Sequence, residues 1–114
     1  MTYKFRVWDK VNNYYLSPLV RQAITHDGKL LIEGKEVSED DYQVEPCTGF
    51  KCKNNEDIYV NDYVEFKLGL KMVRARVVYD NFGYWIYEIR GGCMVFNQQN
   101  YTIIGNQNTN PVNS

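Results

Sequence analysis

Apolar and polar residues alternate along most of this chain with a period of two, the spacing of strands that bury one face. Tyr3-Lys4-Phe5-Arg6-Val7 shows it first, until Trp8 breaks the polar face. Asp9 to Asn13 reads as a turn, and Tyr14-Tyr15-Leu16 returns antiparallel before Ser17-Pro18 stops the strand. Arg21 to Thr25 and Lys29 to Glu33 flank His26-Asp27-Gly28, and Asp-Gly between two β-type runs predicts a second hairpin. Gly34 to Glu45 breaks the pattern, with Glu36, Glu39, Asp40, Asp41 and Glu45 against Lys35 alone. It reads as a solvated acidic connector in which Ser38 and Asp41 cap at most one helical turn.

From Cys47 to Lys67 the turn signals crowd together. Thr48-Gly49 and Lys53-Asn54-Asn55 are turn chemistry, because Gly and Asn accept positive φ at little cost. Ile58-Tyr59 is a short strand, and Asn61-Asp62 turns the chain into Tyr63-Val64-Glu65-Phe66-Lys67. Beyond it strands are expected at 63–68, 72–80, 84–89, 93–97 and 101–104, enough for a five-stranded SH3-like barrel over 47–105. Residues 1–46 then form an N-terminal β-hairpin extension with its connector, and 106–114 a frayed tail. A three-residue loop Asn81-Phe82-Gly83 pairs Asp80 with Tyr84, Val78 with Ile86 and Arg76 with Glu88. This register gathers Val73, Ala75, Val77, Tyr79, Trp85, Tyr87 and Ile89 on the inner wall with Val64 and Phe66. It leaves Tyr84 and Ile86 outside and sets Arg74 opposite Arg90.

Three motifs bear a likeness to a known family. Thr48, Gly49, Lys51, Lys53, Asn54, Ile58, Tyr59, Asp62 and Val64 fall on the pattern Q-Y-T-G-L-K-D-K-N-G-K-E-I-Y-E-G-D-I-V of the YopX family of phage and prophage proteins. Phe5-Arg6-Val7-Trp8-Asp9-Lys10 is similar to that family's opening F-R-x-W-D-K, and Ile103-Ile104-Gly105-Asn106 to its closing V-I-G-N. Asn55 and Asn61 stand where the pattern has Gly, and Asn is the next best residue for a left-handed turn. The resemblance implies a phage or prophage origin and an SH3-type barrel in the C-terminal part, and implies no chemistry.

At 114 residues the chain suits one small barrel with an extension and leaves no room for a second full domain. A formal net charge of −1 argues against coating nucleic acid through charge alone. Met1 to Lys10 has no apolar segment of a signal peptide, and no run is long enough to span a bilayer, so a cytoplasmic location in the host cell without membrane association is expected. Three Cys without framework spacing fit reduced thiols. Cys47 and Cys52 could approach across a turn, with Cys93 or His26 completing a zinc site. The spacing is not that of a zinc knuckle, and isolated Cys more often packs as a small apolar group. His26, alone of its kind, sits in a hairpin turn, and Asp57, Asp62 and Glu65 lack an apolar pocket that would set their pKa values apart. The reading is therefore of a protein that is not an enzyme and needs neither cofactor nor metal.

Ten Tyr, two Trp and five Phe are largely accounted for by β-propensity and by core and cross-strand packing, and the remainder favours a binding surface, since Tyr supplies contact area at low entropic cost. Beside them lie Lys67, Lys71, Arg74 and Arg76. The candidate site is Lys71, Arg74, Arg76, Tyr84, Ile86 and Arg90, in which the two opposed guanidiniums Arg74 and Arg90 either splay into water with their repulsion screened or grip an anionic group. A host protein, in a regulatory or counter-defence role, is the favoured partner. Nucleic acid is the alternative, and a small anionic ligand the next. A free sheet edge near Tyr101 to Ile104 offers itself for pairing with a second copy, as a dimer first.

Overall fold

The alternating stretches form strands throughout, and there is no helix among the residues that this computed structural model describes, 4–80, 83–88, 93–95 and 100–109. Two compact units divide the chain, Arg6–Glu45 and Met1–Phe5 with Pro46–Ser114. Strands β1 (Phe5–Asp9) and β6 (Tyr42–Lys51) each pass from one unit into the other.

In the N-terminal unit β1 pairs with β2 (Tyr14–Tyr15), Trp8 opposite Tyr15 and Asp9 opposite Tyr14, as the alternation predicts. Asp9 builds the turn between them. Its buried carboxylate accepts from the backbone N of Val11 and Asn12 and from Asn12 Nδ2, and Asn13 takes φ 60°. These bonds to the charged form, the Asn12 side chain foremost, hold the Asp9 carboxyl below its usual range. The Asp-Gly hairpin also forms, from β3 (Gln22–Ile24) and β4 (Leu30–Ile32), with Ile24 opposite Leu30. Gly28 sits at φ 88°, and the Thr25 hydroxyl donates to Asp27 and accepts from Lys29 N.

The acidic connector is more structured than its composition suggests. Glu33 and Gly34, both at positive φ, turn β4 into β5 (Lys35–Glu36), the two-positive geometry of a type I′ hairpin. Asp41 N closes a turn on the Ser38 carbonyl, and β6 begins at Tyr42. Glu45, expected to be solvated, has no exposed surface. Glu45 is buried because it finds partners inside, the Arg6 guanidinium and the Tyr15 hydroxyl.

In the C-terminal unit β6 continues to Lys51 and pairs with β7 (Asp57–Tyr59), Cys47 opposite Tyr59 and Lys51 opposite Asp57. Thr48-Gly49 makes a bulge within this one strand, not a turn between two. Gly49 takes φ 85°, and the buried Thr48 hydroxyl donates to the Ile58 carbonyl at 2.8 Å while accepting from Phe50 N. Asn55 at φ 67° and Asn61 at φ 76° take the left-handed positions that their turns require. After Asn61 come β8 (Asp62–Leu68), β9 (Lys71–Asp80), β10 (Gly83–Glu88), β11 (Cys93–Val95) and β12 (Thr102–Asn106). They form one curled antiparallel sheet of order β11-β10-β9-β8-β12, a half-barrel of five strands as the pattern predicts.

Its core holds Ile58, Val64, Phe66, Ala75, Val77, Ile86 and Tyr101, with the Phe66 and Tyr101 rings edge to face at 5.2 Å. Val64, Phe66, Ala75 and Val77 meet expectation, and the side chains of Trp85, Tyr87 and Ile89 lie outside the described residues. Tyr79 is exposed, against expectation. The register of the β9–β10 hairpin differs by one residue from the one expected: Asp80 pairs with Gly83, Val77 with Ile86, Arg76 with Tyr87 and Ala75 with Glu88. A one-residue slip exchanges the faces of β10. The expected register gained an Arg76–Glu88 pair, worth about 0.2–1 kcal/mol, and turned Trp85 and Tyr87 inward, whereas the observed one buries Ile86 against the core, worth about 1.5–3 kcal/mol, with Tyr84 packed beside it.

Asn106 to Thr109 is held, not frayed. Gln107 N donates to the Asn61 carbonyl, the Tyr63 hydroxyl to Gln107 Oε1 at 2.6 Å, and Asn106 Oδ1 accepts from the N of Asn108 and Thr109. The edge strand β12 is blunted by a bulge between Ile103 and Gly105, and just before it the Tyr101 carbonyl accepts from Lys53 N.

Candidate functional site

The six residues expected to form one binding surface do not share one. Arg74 lies opposite Glu65 of β8, and its Nε donates to Glu65 Oε2 at 2.9 Å. Arg76 is half-buried, and its guanidinium donates to Asn61 Oδ1 at 3.2 Å. Ile86 is fully buried and Tyr84 packs against the same core, its hydroxyl reaching the Cys47 carbonyl and its ring 5.1 Å from that of Tyr79. Both point inward for the same reason that the register shifted: the core takes the even-numbered positions of β10. Arg90 lies outside the described residues, and the shifted register removes the basis for setting it opposite Arg74. Of the five described, Lys71 alone stands exposed with no hydrogen bond or ion pair described.

Lys71 marks the surface that the alternation did not reveal. β8 and β9 are joined by Gly69-Leu70, with Leu68 opposite Lys71. Gly69 has φ 63° and Leu70 does not share it, the arrangement of a two-residue type II′ hairpin loop. This tight turn throws three apolar side chains into solvent within five residues: Leu68 at 45%, Leu70 at 98% and Met72 at 60% exposure. Lys67 and Lys71 flank them, both exposed. Single exposed Leu residues are ordinary, whereas a hairpin apex is normally polar, so three together form a patch suited to contact. The signal lay in Lys67-Leu68-Gly69-Leu70-Lys71-Met72, where apolar residues occupy the very positions of the turn.

A second group concentrates charge in the N-terminal unit. Arg6 Nε and the Tyr15 hydroxyl both donate to Glu45 Oε1 at 2.8 Å. The guanidinium also stacks 4.5 Å above the Tyr15 ring, which meets Trp8 edge-on at 4.9 Å. The carboxylate is fully enclosed, and its partners satisfy it, so the cluster is built to hold strands together.

A third group is half-buried, with its lysines in solvent. Asp57 on β7 accepts from Lys4 and from Lys51, the latter at 2.8 Å. The hydrogen bonds from Lys4 and then Lys51 hold the Asp57 carboxyl below its usual range, and the bond to Asp57 raises Lys4. Cys47 and Cys52 are free thiols; Cys52 belongs to the core and Cys47 is half-buried on β6. The Cys93 side chain lies outside the described residues, and His26 stands exposed in the β3–β4 turn. No group of three His, Cys, Asp or Glu able to hold a metal occurs among the described residues.

Fold and surface together define an all-β protein with a small half-barrel that presents an apolar, lysine-flanked hairpin. No protein-family model matches the chain, and no curated protein matches it. Among solved structures it is similar to the crystal structure of protein EF1440 from Enterococcus faecalis, with a TM-score of 0.62 and 21% identity over 97% of this chain and 96% of that one. At this identity the likeness shows a common fold. No helix among the described residues is long and apolar enough to cross a membrane.

Proposed function

We propose that this protein is a non-enzymatic binding module that engages another protein through the tip of its β8–β9 hairpin. The observation that carries the reading is the near-complete exposure of Leu70 between Leu68 and Met72, with Lys67 and Lys71 at its sides. A partner of matching chemistry offers an apolar pocket rimmed by carboxylates. Leu70 fills the pocket, and the two lysines lay their methylene stems along its wall with their ammonium groups on the acidic rim. The YopX-like motifs support a phage or prophage origin, and with it a host protein as partner in the host cytoplasm. The barrel surface thus keeps its role as the interaction face, moved from the arginines of β9 to the hairpin tip.

The test is affinity capture from a bacterial extract with the tagged protein and its Leu70→Asp variant, with and without nuclease. The expected result is a protein captured by the parent alone, indifferent to nuclease and retained at physiological salt. Capture that vanishes with nuclease and falls by about a thousandfold or more between low and physiological salt, as six or more phosphate contacts demand, would make the partner nucleic acid.

A further inference from the structure

The charges of the chain are divided unequally between its two units. Arg6–Glu45 carries five basic against eight acidic residues, a net −3, whereas Met1–Phe5 with Pro46–Ser114 carries eight against six, a net +2. Each unit also displays exposed apolar side chains beside its excess charge. In the C-terminal unit these are Tyr79 and the hairpin tip with its flanking lysines. In the N-terminal unit they are Leu19 and, on the β1–β2 hairpin, Val11, 67% exposed, and Tyr14, 52% exposed. That turn is bound to the exposed acidic run Glu39-Asp40-Asp41: Lys10 N donates to the Asp41 carbonyl at 2.9 Å, and Lys10 Nζ to the Glu39 carbonyl at 3.1 Å. Both bonds use backbone oxygens of the acidic run. Tyr42 joins the same patch, its hydroxyl raised above its usual value by burial and then by the charges of Asp9 and Asp41 and by Tyr14.

We infer that the hairpin tip of one copy docks on this acidic patch of a second copy, Leu70 against Val11 and Tyr14, with Lys67 and Lys71 facing Glu39, Asp40 and Asp41. Charge and apolar character are complementary between the two surfaces, and both stand exposed among the described residues. The contact joins two different patches, so it is heterologous and propagates head to tail into short chains or a ring, in place of closing as a two-fold dimer. The inference rests on the tip being a contact surface, and it names a second copy of this chain as an occupant beside any host protein. Self-docking would then keep the tip covered until a better-fitting partner displaces the neighbour.

The test is sedimentation velocity on the purified full chain, the Leu70→Asp variant and the Glu39→Lys/Asp40→Lys variant, with melting temperatures as a check of folding. Both sets of changes lie at exposed positions, so each variant should melt as the parent does. The parent should gain mass with concentration and lose it as salt rises from about 0.01 M to about 1 M, over which the Debye length shrinks from roughly 30 Å to 3 Å. Each variant alone should be monomeric, since one lacks the tip and the other the patch. Mixed in equal amounts they should form a dimer and nothing larger, because only one tip and one patch remain competent. A parent that is monomeric at every concentration overturns the inference, and so does a mixture that stays monomeric. A monomeric parent that still captures a protein from extract leaves the proposed function standing. An associating parent that captures none does the reverse.

Discussion

The two units of this protein solve the same problem with different chemistry. The C-terminal unit closes over a continuous apolar core, in which strands of up to ten residues bury Ile58, Val64, Phe66, Val77, Ile86 and Tyr101. The N-terminal unit has strands of two to five residues besides the start of β6, with Val7, Trp8 and Leu30 as its buried apolar side chains. It compensates with polar devices: the enclosed Glu45 held by Arg6 and Tyr15, and the buried Asp9 that shapes its turn. Short strands bury too little apolar surface to be specified by burial alone, so hydrogen-bonded charge fixes their geometry. The long sheet keeps one such device, the buried Asp62 whose carboxylate accepts from Tyr59 N at 2.8 Å, but its apolar core is continuous, and its hairpin carries exposed apolar residues.

Breaking each unit at its own keystone sharpens the contrast. Phe66→Ala removes a fully buried ring from the sheet and should cost about 3–5 kcal/mol, read from denaturant unfolding. Arg6→Met should cost about 2–3 kcal/mol, because it takes a cationic partner from a buried carboxylate. Replacing the polar ends together, Arg6→Met with Glu45→Leu and Tyr15→Phe, should recover most of that loss, since no charge is then left buried. No grouped change of this kind rescues Phe66→Ala, whose deficit is volume. If the triple variant is less stable than Arg6→Met alone, the polar cluster does more than satisfy itself.

A smaller effect probes the backbone. Asn61 holds φ 76° while its side chain accepts from Arg76, so Asn61→Ala should lose about 1–2 kcal/mol, and Asn61→Gly should retain the turn and lose less. The smallest effect is one of pH. The Asp57 carboxyl is depressed by Lys4 and Lys51, so its contribution to stability is present above the usual carboxylate value near 3.9 and is lost as pH falls through its lowered one. Melting temperatures of Asp57→Asn should therefore fall less steeply than those of the parent between about pH 4 and pH 2. The raised Lys4 acts at the other end, its contribution being lost as pH climbs through its elevated value.

Period-two alternation and turn chemistry made the all-β fold legible, down to the strands of the half-barrel, the Asp-Gly hairpin and the left-handed roles of Asn55 and Asn61. The β9–β10 register was not legible, because odd and even positions of β10 are both apolar, Trp85 and Tyr87 against Tyr84 and Ile86, and the Arg76–Glu88 pair that decided between them weighs less than a buried side chain. Glu45 was missed since its partners, Arg6 and Tyr15, lie 39 and 30 residues away. The expected site dissolved for a related reason. Arg74 and Arg76 stand together in the sequence, but Glu65 and Asn61, which occupy them, come from β8 and the turn before it. Lys71 and Arg74 reached the exposed surface, Arg74 paired with Glu65, while the sequence pattern places Leu68 and Met72 at the ends of two strands and Leu70 in the loop between them.

The central claim is that the arginines of β9 serve the sheet while the hairpin tip serves a partner. The most direct measurement compares Leu70→Ser with the double variant Arg74→Ser/Arg76→Ser in partner capture and in melting temperature side by side. The account predicts that Leu70→Ser loses capture by at least about tenfold at an unchanged melting temperature, as expected of a contact residue that packs against nothing in its own chain. The double variant should melt lower yet capture the partner as the parent does. Capture that survives Leu70→Ser and disappears in the arginine variant would contradict the account.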